Sequence, residues 1–250
     1  MNRFNIFKIL VIVVLLVVVF NLFNKNLPKT GVNNTVTNPI TVPSNVTSQG
    51  RVISMNVPAV DNEGNGVATQ LKVEIKPGTG KVLVDVNQLL FWVDTQYSIR
   101  TAQRVAQNIT GADISNIDLI YSIDTNASVI EGPSAGAALT IATIAALENK
   151  TLNDTVMITG TINPDGTVGP VGAIFAKAKA SKDIGAKLFL VPEGQGVQTN
   201  YKPVQKCENI GLVTFCTTDY KTEKVDISKD AGITVKEVSR IEDTLKYFLV

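Results

Sequence analysis

Histidine is absent from this sequence of 250 residues. It is the most frequent general base in enzymes and the commonest metal ligand in proteins. The chain has only two cysteines, and two thiols without histidine make a poor metal site, so we expect neither a metal nor another cofactor. A nucleophilic side chain in this protein would need a different base, for which a buried lysine is the obvious candidate.

Two other classes of function are disfavoured by what the sequence lacks. It contains no GxxxxGK[ST] motif, so it has no P-loop and no ATP-driven motor of that kind. The formal net charge is +1, with lysine and arginine dispersed along the chain. Because nucleic-acid binding usually needs a clustered excess of basic residues, we expect no nucleic-acid partner.

The sequence does contain one long apolar run, from Ile6 to Phe23, interrupted only near its ends by Lys8 and Asn21. About 18 helical residues at ~1.5 Å each span roughly 27 Å, just enough to cross a bilayer. A signal peptide has a shorter apolar core followed by a small-residue cleavage site, which is missing here, so we favour an uncleaved anchor over residues 1–23. A cleaved leader is the alternative, and it would change the location rather than the chemistry.

The charges around this run favour a cytoplasmic N-terminus. The α-amino group, Arg3 and Lys8 precede it, whereas Lys25 and Lys29 follow it. We therefore predict a single-pass protein of the cell membrane. Residues 6–23 would contact the membrane, and the rest of the chain would lie outside the cytoplasm.

Two features agree with an external location. Cys207 and Cys216 are close enough in sequence to close a short loop, which an oxidising compartment permits. Whether they are joined depends on the distance between their Cα atoms. Asn-x-Ser/Thr triplets, the acceptors for N-glycosylation, recur along the chain, although chance in an Asn- and Thr-rich sequence explains them equally well. They begin at Asn33, Asn45, Asn108, Asn126, Asn149 and Asn153.

The rest of the chain divides by composition near residue 50. Residues 24–50 are rich in Asn, Thr, Pro, Ser and Val, which predicts a flexible, extended linker. Residues 51–250 have the length of one compact domain. Strand-like alternation and helical spacing follow one another there, which indicates an α+β fold with an antiparallel meander first and at least one strand-helix-strand unit. The predicted strands are 51–59, 68–75, 81–86, 117–123, 155–159 and 187–191, and the predicted helices are 95–108, 134–147 and 171–184.

The first candidate for chemistry is the serine of Gly132-Pro133-Ser134-Ala135-Gly136, which precedes an almost wholly apolar helix. Glycine permits a tight approach and proline suits a first helical turn, so Ser134 should lie at or beside a helix N-terminus. Unpaired backbone amides and the positive end of the helix dipole are suited there to stabilising an oxyanion. The alternative is that Ser134 only caps the helix, since serine is a favoured capping residue.

The second candidate is Lys177 in the predicted helix 171–184. On a helical wheel it falls inside one broad apolar stripe. A lysine directed toward a core loses hydration of its ammonium form, so its pKa falls and it can act as a neutral base. The alternative is that Lys177 reaches water or pairs with a carboxylate. The apolar residues of the stripe are Val171, Ala173, Ile174, Ala178, Ala180 and Ile184.

Both candidates lie in segments that resemble the proteolytic domain of Lon-type serine-lysine peptidases. EGPSAGAALTIATIAALENK is similar to the nucleophile region of that family, and ITGTINPDGTVGPVGAIFAKAKASKDIGAKLFLVP looks like the strand, turn and base helix that follow it. No gap is needed across these segments, and Ser134 and Lys177 stand at the family's serine-to-lysine spacing. A joint match of this kind is far more specific than GPSAG alone. It implies that residues 51–250 form a Lon-like proteolytic domain.

The resemblance also implies roles for individual residues. Ser134 would be the nucleophile and Lys177 the general base of a serine peptidase. A threonine or carboxylate near the lysine would set its orientation, and Thr159 is the first candidate. The other supporting residues flank the serine or end a predicted strand, and they are Gly132, Pro133, Ala135, Glu131 and Asp124.

Two departures from the family bear on function. The segment 201–219, which holds both cysteines, looks longer than its counterpart. Lon enzymes carry an ATPase module ahead of the peptidase in the same chain, whereas the predicted anchor and linker occupy that place here. We therefore expect a membrane-anchored, ATP-independent serine endopeptidase that cleaves unfolded or flexible polypeptides. The alternative is a non-proteolytic Lon-like binding or scaffold domain tethered to the membrane. Lon relatives form hexamers, so a homo-oligomer is implied by the resemblance alone.

Overall fold

The computed structural model describes residues 50–86, 90–91, 93–124, 129–130, 132–211 and 213–250. The predicted anchor, and the predicted linker up to residue 49, lie outside the described residues. So do Glu131 and the triplets that begin at Asn33, Asn45 and Asn126. Within the part of the chain that is described, no helix combines the length and the apolar character needed to cross a membrane.

The first half of the domain is built on a four-stranded sheet in the order β1-β2-β5-β3. β1 pairs with β2, and β2 with β5, in antiparallel register. Buried side chains alternate with more exposed ones along β2 and β5, so one face of this sheet forms part of the core. The strands are β1 (Arg51–Val60), β2 (Gly66–Pro77), β3 (Val82–Val84) and β5 (Ile117–Asp124).

The position of β3 corrects the predicted antiparallel meander, because β3 pairs in parallel with β5 and not with β2. The turn after β2 explains this placement. The carboxylate of Asp118 accepts hydrogen bonds from the amides of Thr79 and Lys81, both at 2.8 Å, and Gly80 N donates to Ile117 O at 3.1 Å. These bonds, chiefly the one from Lys81, lower the pKa of Asp118. They also fix the turn to the start of β5, so the chain continues along the far edge of that strand.

Two helices complete this half of the domain. Helix α2 (Gly136–Glu148) packs on β1 and β2, and helix α1 (Val93–Thr110) packs against α2. Every residue of α2 up to Leu147 is buried, which confirms the prediction from its all-round apolar sequence. The helix begins two residues later than predicted and ends where Asn149 adopts a left-handed conformation with φ of 57°.

The second half contains the predicted strand-helix-strand unit, which the structure confirms. Strands β7 (Val156–Ile158) and β10 (Leu188–Pro192) run parallel, and helix α3 (Ile174–Asp183) lies between them in the chain. Helix α3 contacts β1 and β2 as well as β10, and Ile174 packs in a small core with Met157 and Phe189. This unit therefore joins the two halves of the domain.

The remaining described elements are short. A third parallel strand extends the second sheet to the order β13-β10-β7, and a two-stranded hairpin follows β7. All predicted helices and strands agree with the structure to within three residues at each end. The short elements are β4 (Leu90–Phe91), β6 (Val129–Ile130), β8 (Thr161–Ile162), β9 (Val168–Gly169), α4 (Ile227–Ala231), β13 (Thr234–Val238) and α5 (Ile241–Phe248).

A long antiparallel hairpin separates β10 from α4. Its strands, β11 (Val197–Ile210) and β12 (Val213–Asp226), pair along their whole length. The described residues from 205 to 224 are exposed on both faces, so this hairpin, called the arm below, projects from the body of the domain. Cys207 and Cys216 face each other across the arm and are joined by a disulfide. Their pairing, which the sequence left open, is thereby settled.

Candidate active site

Ser134 lies in the turn that leads into α2. Gly132 has a left-handed backbone with φ of 90°, and Gly136 N donates to Pro133 O at 3.0 Å, which closes the turn around the serine. The N-cap residue of α2 is Ala135, and it makes no side-chain capping hydrogen bond. Ser134 therefore does not act as the helix cap, and the alternative reading of the motif is wrong.

The backbone of Ser134 is fixed to the residues that follow β7. Its carbonyl oxygen accepts hydrogen bonds from Gly160 N at 3.0 Å and from the Thr159 hydroxyl at 3.3 Å. Gly160 O in turn accepts from Ala137 N at 3.0 Å. These backbone hydrogen bonds fix the serine turn to the residues that follow β7.

Two glycines allow this close approach. A Cβ atom added to Gly136 would lie 2.7 Å from Ile162 N, and one added to Gly160 would lie 2.4 Å from a methyl carbon of Val168. Both distances are far below an ordinary carbon contact of about 3.5 to 4 Å. Glycine at these positions therefore lets the start of α2 rest directly on the β8–β9 hairpin.

Lys177 is buried within α3, with only 4% of its surface exposed. Loss of hydration on burial lowers the pKa of its ammonium group from 10.5 to about 8. No carboxylate of the described residues forms an ion pair with it. The alternatives of a lysine that reaches water or pairs with a carboxylate are thus wrong for the described part of the chain.

The apolar stripe around Lys177 is narrower than predicted. Ile174, Ala178 and Ala180 are buried as expected. Ala173 and Ile184 are exposed. The helix α3 begins at Ile174 and ends at Asp183, so these two residues lie outside it and the helical wheel does not apply to them. Buried residues of α3 also include Ser181, whose hydroxyl donates to Lys177 O at 2.8 Å and was not predicted to face the core.

Two contacts that the sequence analysis missed hold α3 in place. The side-chain amide of Gln195 accepts a hydrogen bond from Val171 N at 2.9 Å and donates one to Val171 O at 2.8 Å. At the start of β2, a Cβ atom on Gly66 would lie 2.0 Å from Ala176 O, so the strand passes directly over the helix backbone. Neither residue belongs to a recognisable motif, and only a structure could have shown these contacts.

The supporting residues take up different positions. Thr159 is fully buried, but the hydrogen bond of its hydroxyl goes to the Ser134 carbonyl, whereas the predicted partner was the lysine. Asp124 is exposed at the end of β5 and forms an ion pair with Lys72, which argues against a role beside Lys177. Glu131 lies outside the described residues. The structure thus brings Ser134 and Thr159 together, and the pairing of Ser134 with Lys177 stays a prediction.

A cavity of about 290 Å³ opens beside the N-terminus of α3, one helical turn before Lys177. Val171, Ile174, Gln195 and Gln198 contribute to its wall, and the side-chain oxygen of Gln198 is buried without a hydrogen-bond partner. Within the described ranges, no cluster of three cysteine, aspartate or glutamate side chains is placed to hold a metal ion.

Ser134 lies just before a buried helix, and Lys177, whose pKa is lowered by burial, lies in the crossover that follows. A serine nucleophile and a lysine that can be neutral are the two groups that a serine hydrolase with a lysine base requires. Comparison with known proteins identifies the family. A family model, Lon protease (S16) C-terminal proteolytic domain, matches residues 79–220, which is more than half of the chain and includes Ser134, Thr159 and Lys177. The chain belongs to this family of proteolytic domains, which confirms the resemblance seen in the sequence.

Individual relatives agree with this assignment. The archaeal Lon protease of Thermoplasma volcanium is 34% identical over 96 residues, which are 38% of this chain and 15% of that protein. The archaeal Lon protease of Archaeoglobus fulgidus is 25% identical over 207 residues, 82% of this chain and 29% of that protein. That of Thermococcus kodakarensis is 25% identical over 183 residues, 71% of this chain and 28% of that protein. The chain therefore spans less than a third of the length of these relatives.

Proposed function

We propose that Ser134 and Lys177 form a catalytic dyad with which this chain cleaves unfolded or flexible polypeptides. The observation that carries this proposal is the state of Lys177, which is buried, has no ion-pair partner among the described residues and has a pKa of about 8. An amine with that pKa is partly neutral near physiological pH, whereas an exposed lysine is almost fully charged. A partly neutral amine can accept a proton from a serine hydroxyl.

The proposed reaction proceeds through an acyl-enzyme. Neutral Lys177 takes the proton of the Ser134 hydroxyl while the serine oxygen attacks the peptide carbonyl carbon. The resulting ammonium gives that proton to the nitrogen of the leaving amine as the peptide bond breaks. Water then attacks the ester with Lys177 again as base, and the proton returns to the serine oxygen when the acyl group leaves.

The oxyanion would be held by backbone amides at the start of α2. Two of these amides are already used, because Gly136 N donates to Pro133 O and Ala137 N donates to Gly160 O. The amides of Ser134 and Ala135 are therefore the donors that we assign to the oxyanion. The positive end of the α2 dipole adds to this stabilisation.

The absence of a motor shapes the proposed substrates. No GxxxxGK[ST] motif occurs in the sequence, so we expect cleavage without ATP. A chain that is not actively unfolded must already be extended to enter an active site, and this favours flexible or unfolded segments.

The location and the assembly state are further parts of the proposal. The apolar run 6–23 supports a single-pass membrane anchor with the N-terminus in the cytoplasm and the peptidase domain outside it. A homo-oligomer, with a hexamer as the first expectation, is supported only by membership of the Lon family. Mass spectrometry of the mature N-terminus would distinguish a retained anchor from a cleaved leader.

The decisive experiment measures cleavage of a disordered protein by the full chain in detergent micelles without ATP. Ser134→Ala and Lys177→Met should each lower the rate at least about a hundredfold, since each removes one member of the dyad. Lys179→Met is the matched control, because Lys179 is exposed on the same helix, and it should cleave like the wild type. Cleavage by Ser134→Ala at the wild-type rate would contradict the dyad. No cleavage by the wild type in any assembly state would favour a binding or scaffold role.

A further inference from the structure

We infer that the tip of the arm inserts into the surface of a lipid bilayer. The tip is defined as Ile210, Gly211, Val213 and Phe215. The three apolar side chains of the tip are 67%, 66% and 59% exposed in chain order, and no charged residue occurs from 209 to 215. The described residues around them are exposed as well, so no described part of the domain covers the tip. The inference rests on the proposed membrane anchor.

The register of the arm gathers these side chains on one face. Ile210 lies opposite Val213, and Phe215 lies opposite Glu208. Since alternate residues of a strand share a face, all three apolar side chains of the tip point to the same side. They share that face with Glu208, which lies opposite Phe215, so Ile210 and Val213 form an apolar end and the Phe215–Glu208 pair borders it.

The backbone of the tip is hydrogen-bonded across the arm but not along its two outer edges. The core of a bilayer tolerates peptide groups only where their hydrogen bonds are satisfied within the protein. Strand pairing continues to the last pair, Ile210 and Val213, and Gly211 turns the chain with a left-handed φ of 64°. The disulfide between Cys207 and Cys216 closes the arm directly behind the tip. The outer edges of this two-stranded arm carry unpaired peptide groups, so the tip suits only the interfacial layer of a bilayer, where headgroups and water can bind them.

The charges behind the tip limit how deep it can go. Glu208 is the first charged residue, about 7 Å behind Ile210 at ~3.3 Å per residue. Farther back, Lys206 pairs with Asp219 and Lys202 pairs with Glu223. A shallow position, with Ile210 and Val213 among the upper acyl chains and the Phe215–Glu208 pair at the level of the lipid headgroups, satisfies both parts of the arm.

The size of the tip and the length of the preceding chain favour lipid over a protein partner. Three side chains are too few for a stable protein interface, which buries about 800 Å² on each partner. A domain already held at a membrane needs only a weak extra contact, because its tip meets lipid at high effective concentration. The linker predicted for 24–49 would, as a coil of about 26 residues, have an average end-to-end distance of roughly 28 Å. Each strand of the arm spans roughly 45 Å, which exceeds that distance.

The inference is tested with the full chain in phosphatidylcholine vesicles whose acyl chains carry bromine, a short-range quencher of tryptophan fluorescence. Trp92→Phe removes the natural tryptophan, and Ile210→Trp then reports on the tip. Tyr201→Trp is the matched control, since Tyr201 is 67% exposed and lies near the base of the same arm. We expect brominated lipid to lower the fluorescence of Ile210→Trp at least about twofold and to leave Tyr201→Trp unchanged, because the two positions differ in depth by roughly 30 Å. Adding Phe215→Asp should abolish the quenching at position 210.

Other outcomes overturn the inference. Equal quenching at both positions would show that the arm does not insert by its tip, and no quenching at either would show that the tip stays out of the bilayer. Protection of Ile210→Trp from aqueous iodide without quenching by brominated lipid would show that a protein, such as a second copy of this chain, covers the tip. Cleavage of a disordered substrate is measured in the same vesicles and should not change in the tip variants. Absence of cleavage in the wild type as well as in the tip variants, with quenching retained, would count against the dyad and leave the tip assignment standing.

Discussion

Replacing Lys177 with methionine should stabilise the folded protein at neutral pH. Methionine is also unbranched and of similar length, and it removes the charge that burial disfavours. Burial lowers the pKa of Lys177 from 10.5 to about 8. Each unit corresponds to 1.36 kcal/mol, so the buried charge costs the folded state about 3 kcal/mol. Lys177 forms no ion pair with a described residue, so its replacement by methionine deprives no described carboxylate of a partner.

The size of this effect depends on pH in a defined direction. Below pH 8 the lysine is charged in the folded and the unfolded chain, so the folded state carries the whole cost. Between pH 8 and 10.5 the unfolded chain binds the proton and the folded chain does not, and wild-type stability rises with pH. Above pH 10.5 the cost is gone. The advantage of Lys177→Met should therefore be about 3 kcal/mol at pH 7 and should shrink toward zero near pH 10.5.

Thermal unfolding of the wild type and of Lys177→Met at pH 7 and pH 10 measures this difference. For a domain of this size, about 3 kcal/mol corresponds to a rise in Tm of roughly 6 to 12 °C at pH 7. A packing difference between lysine and methionine would act equally at both pH values, so the change with pH isolates the charge. Lys179→Met, on the exposed side of α3, should show no such change. The reasoning is refuted if Lys177→Met gains nothing at pH 7, or if its gain is the same at pH 10.

Four further predictions concern the site and the arm. The wild-type kcat/KM should rise about tenfold from pH 7 to pH 9 and then level off, since Lys177 must lose its proton, and a rise that continues unchanged to pH 10 would speak against a base of pKa about 8. Gly136→Ala should lose about 1 to 3 kcal/mol of stability in a denaturant titration, together with its activity, through the clash with Ile162. Gly172→Ala, which has open space at its Cβ position, should retain both. Thr159→Val should lower kcat without moving the pH midpoint, because the hydroxyl bonds to the serine backbone, and a moved midpoint would mean that Thr159 acts on the lysine. Reduction of the disulfide should speed amide hydrogen exchange in the arm and leave α2 unaffected, whereas faster exchange in both would mean that the arm stabilises the body.

Local patterns in the sequence were sufficient to predict those helices and strands whose burial follows from their own residues. The all-round apolar sequence of α2 predicts a buried helix, and the β7, α3 and β10 segments predict a parallel crossover. The partner of β3 could not be predicted in this way. It depends on hydrogen bonds from the turn at Thr79 and Lys81 to Asp118, which lies almost 40 residues away in sequence. Pairing set by such distant contacts leaves no mark in local periodicity.

The arm was hidden for a different reason. A hairpin exposed on both faces has no need for an apolar face, so its strands lack the alternation that reveals a half-buried strand. The sequence showed only that the segment 201–219 looked longer than its counterpart in the Lon family. Lys177 was easier to find, since a charged residue on an apolar helical stripe is unusual and can be recognised from the sequence. The limits of its apolar stripe still depended on where α3 starts, which is at Ile174, directly after Ala173 in a left-handed conformation.

One crossover carries most of the candidate site. The residues after β7, Thr159 and Gly160, bind the carbonyl of Ser134, and the helix that follows them in the chain, α3, carries Lys177. The relative position of serine and lysine therefore depends on this short unit and on the contacts of Gly66 and Gln195 that hold α3. Parts of the chain outside the unit can change length without moving it. This agrees with the resemblance to the Lon pattern, which needs no gap around Ser134 and Lys177, whereas the segment that looks longer than its counterpart lies in the arm.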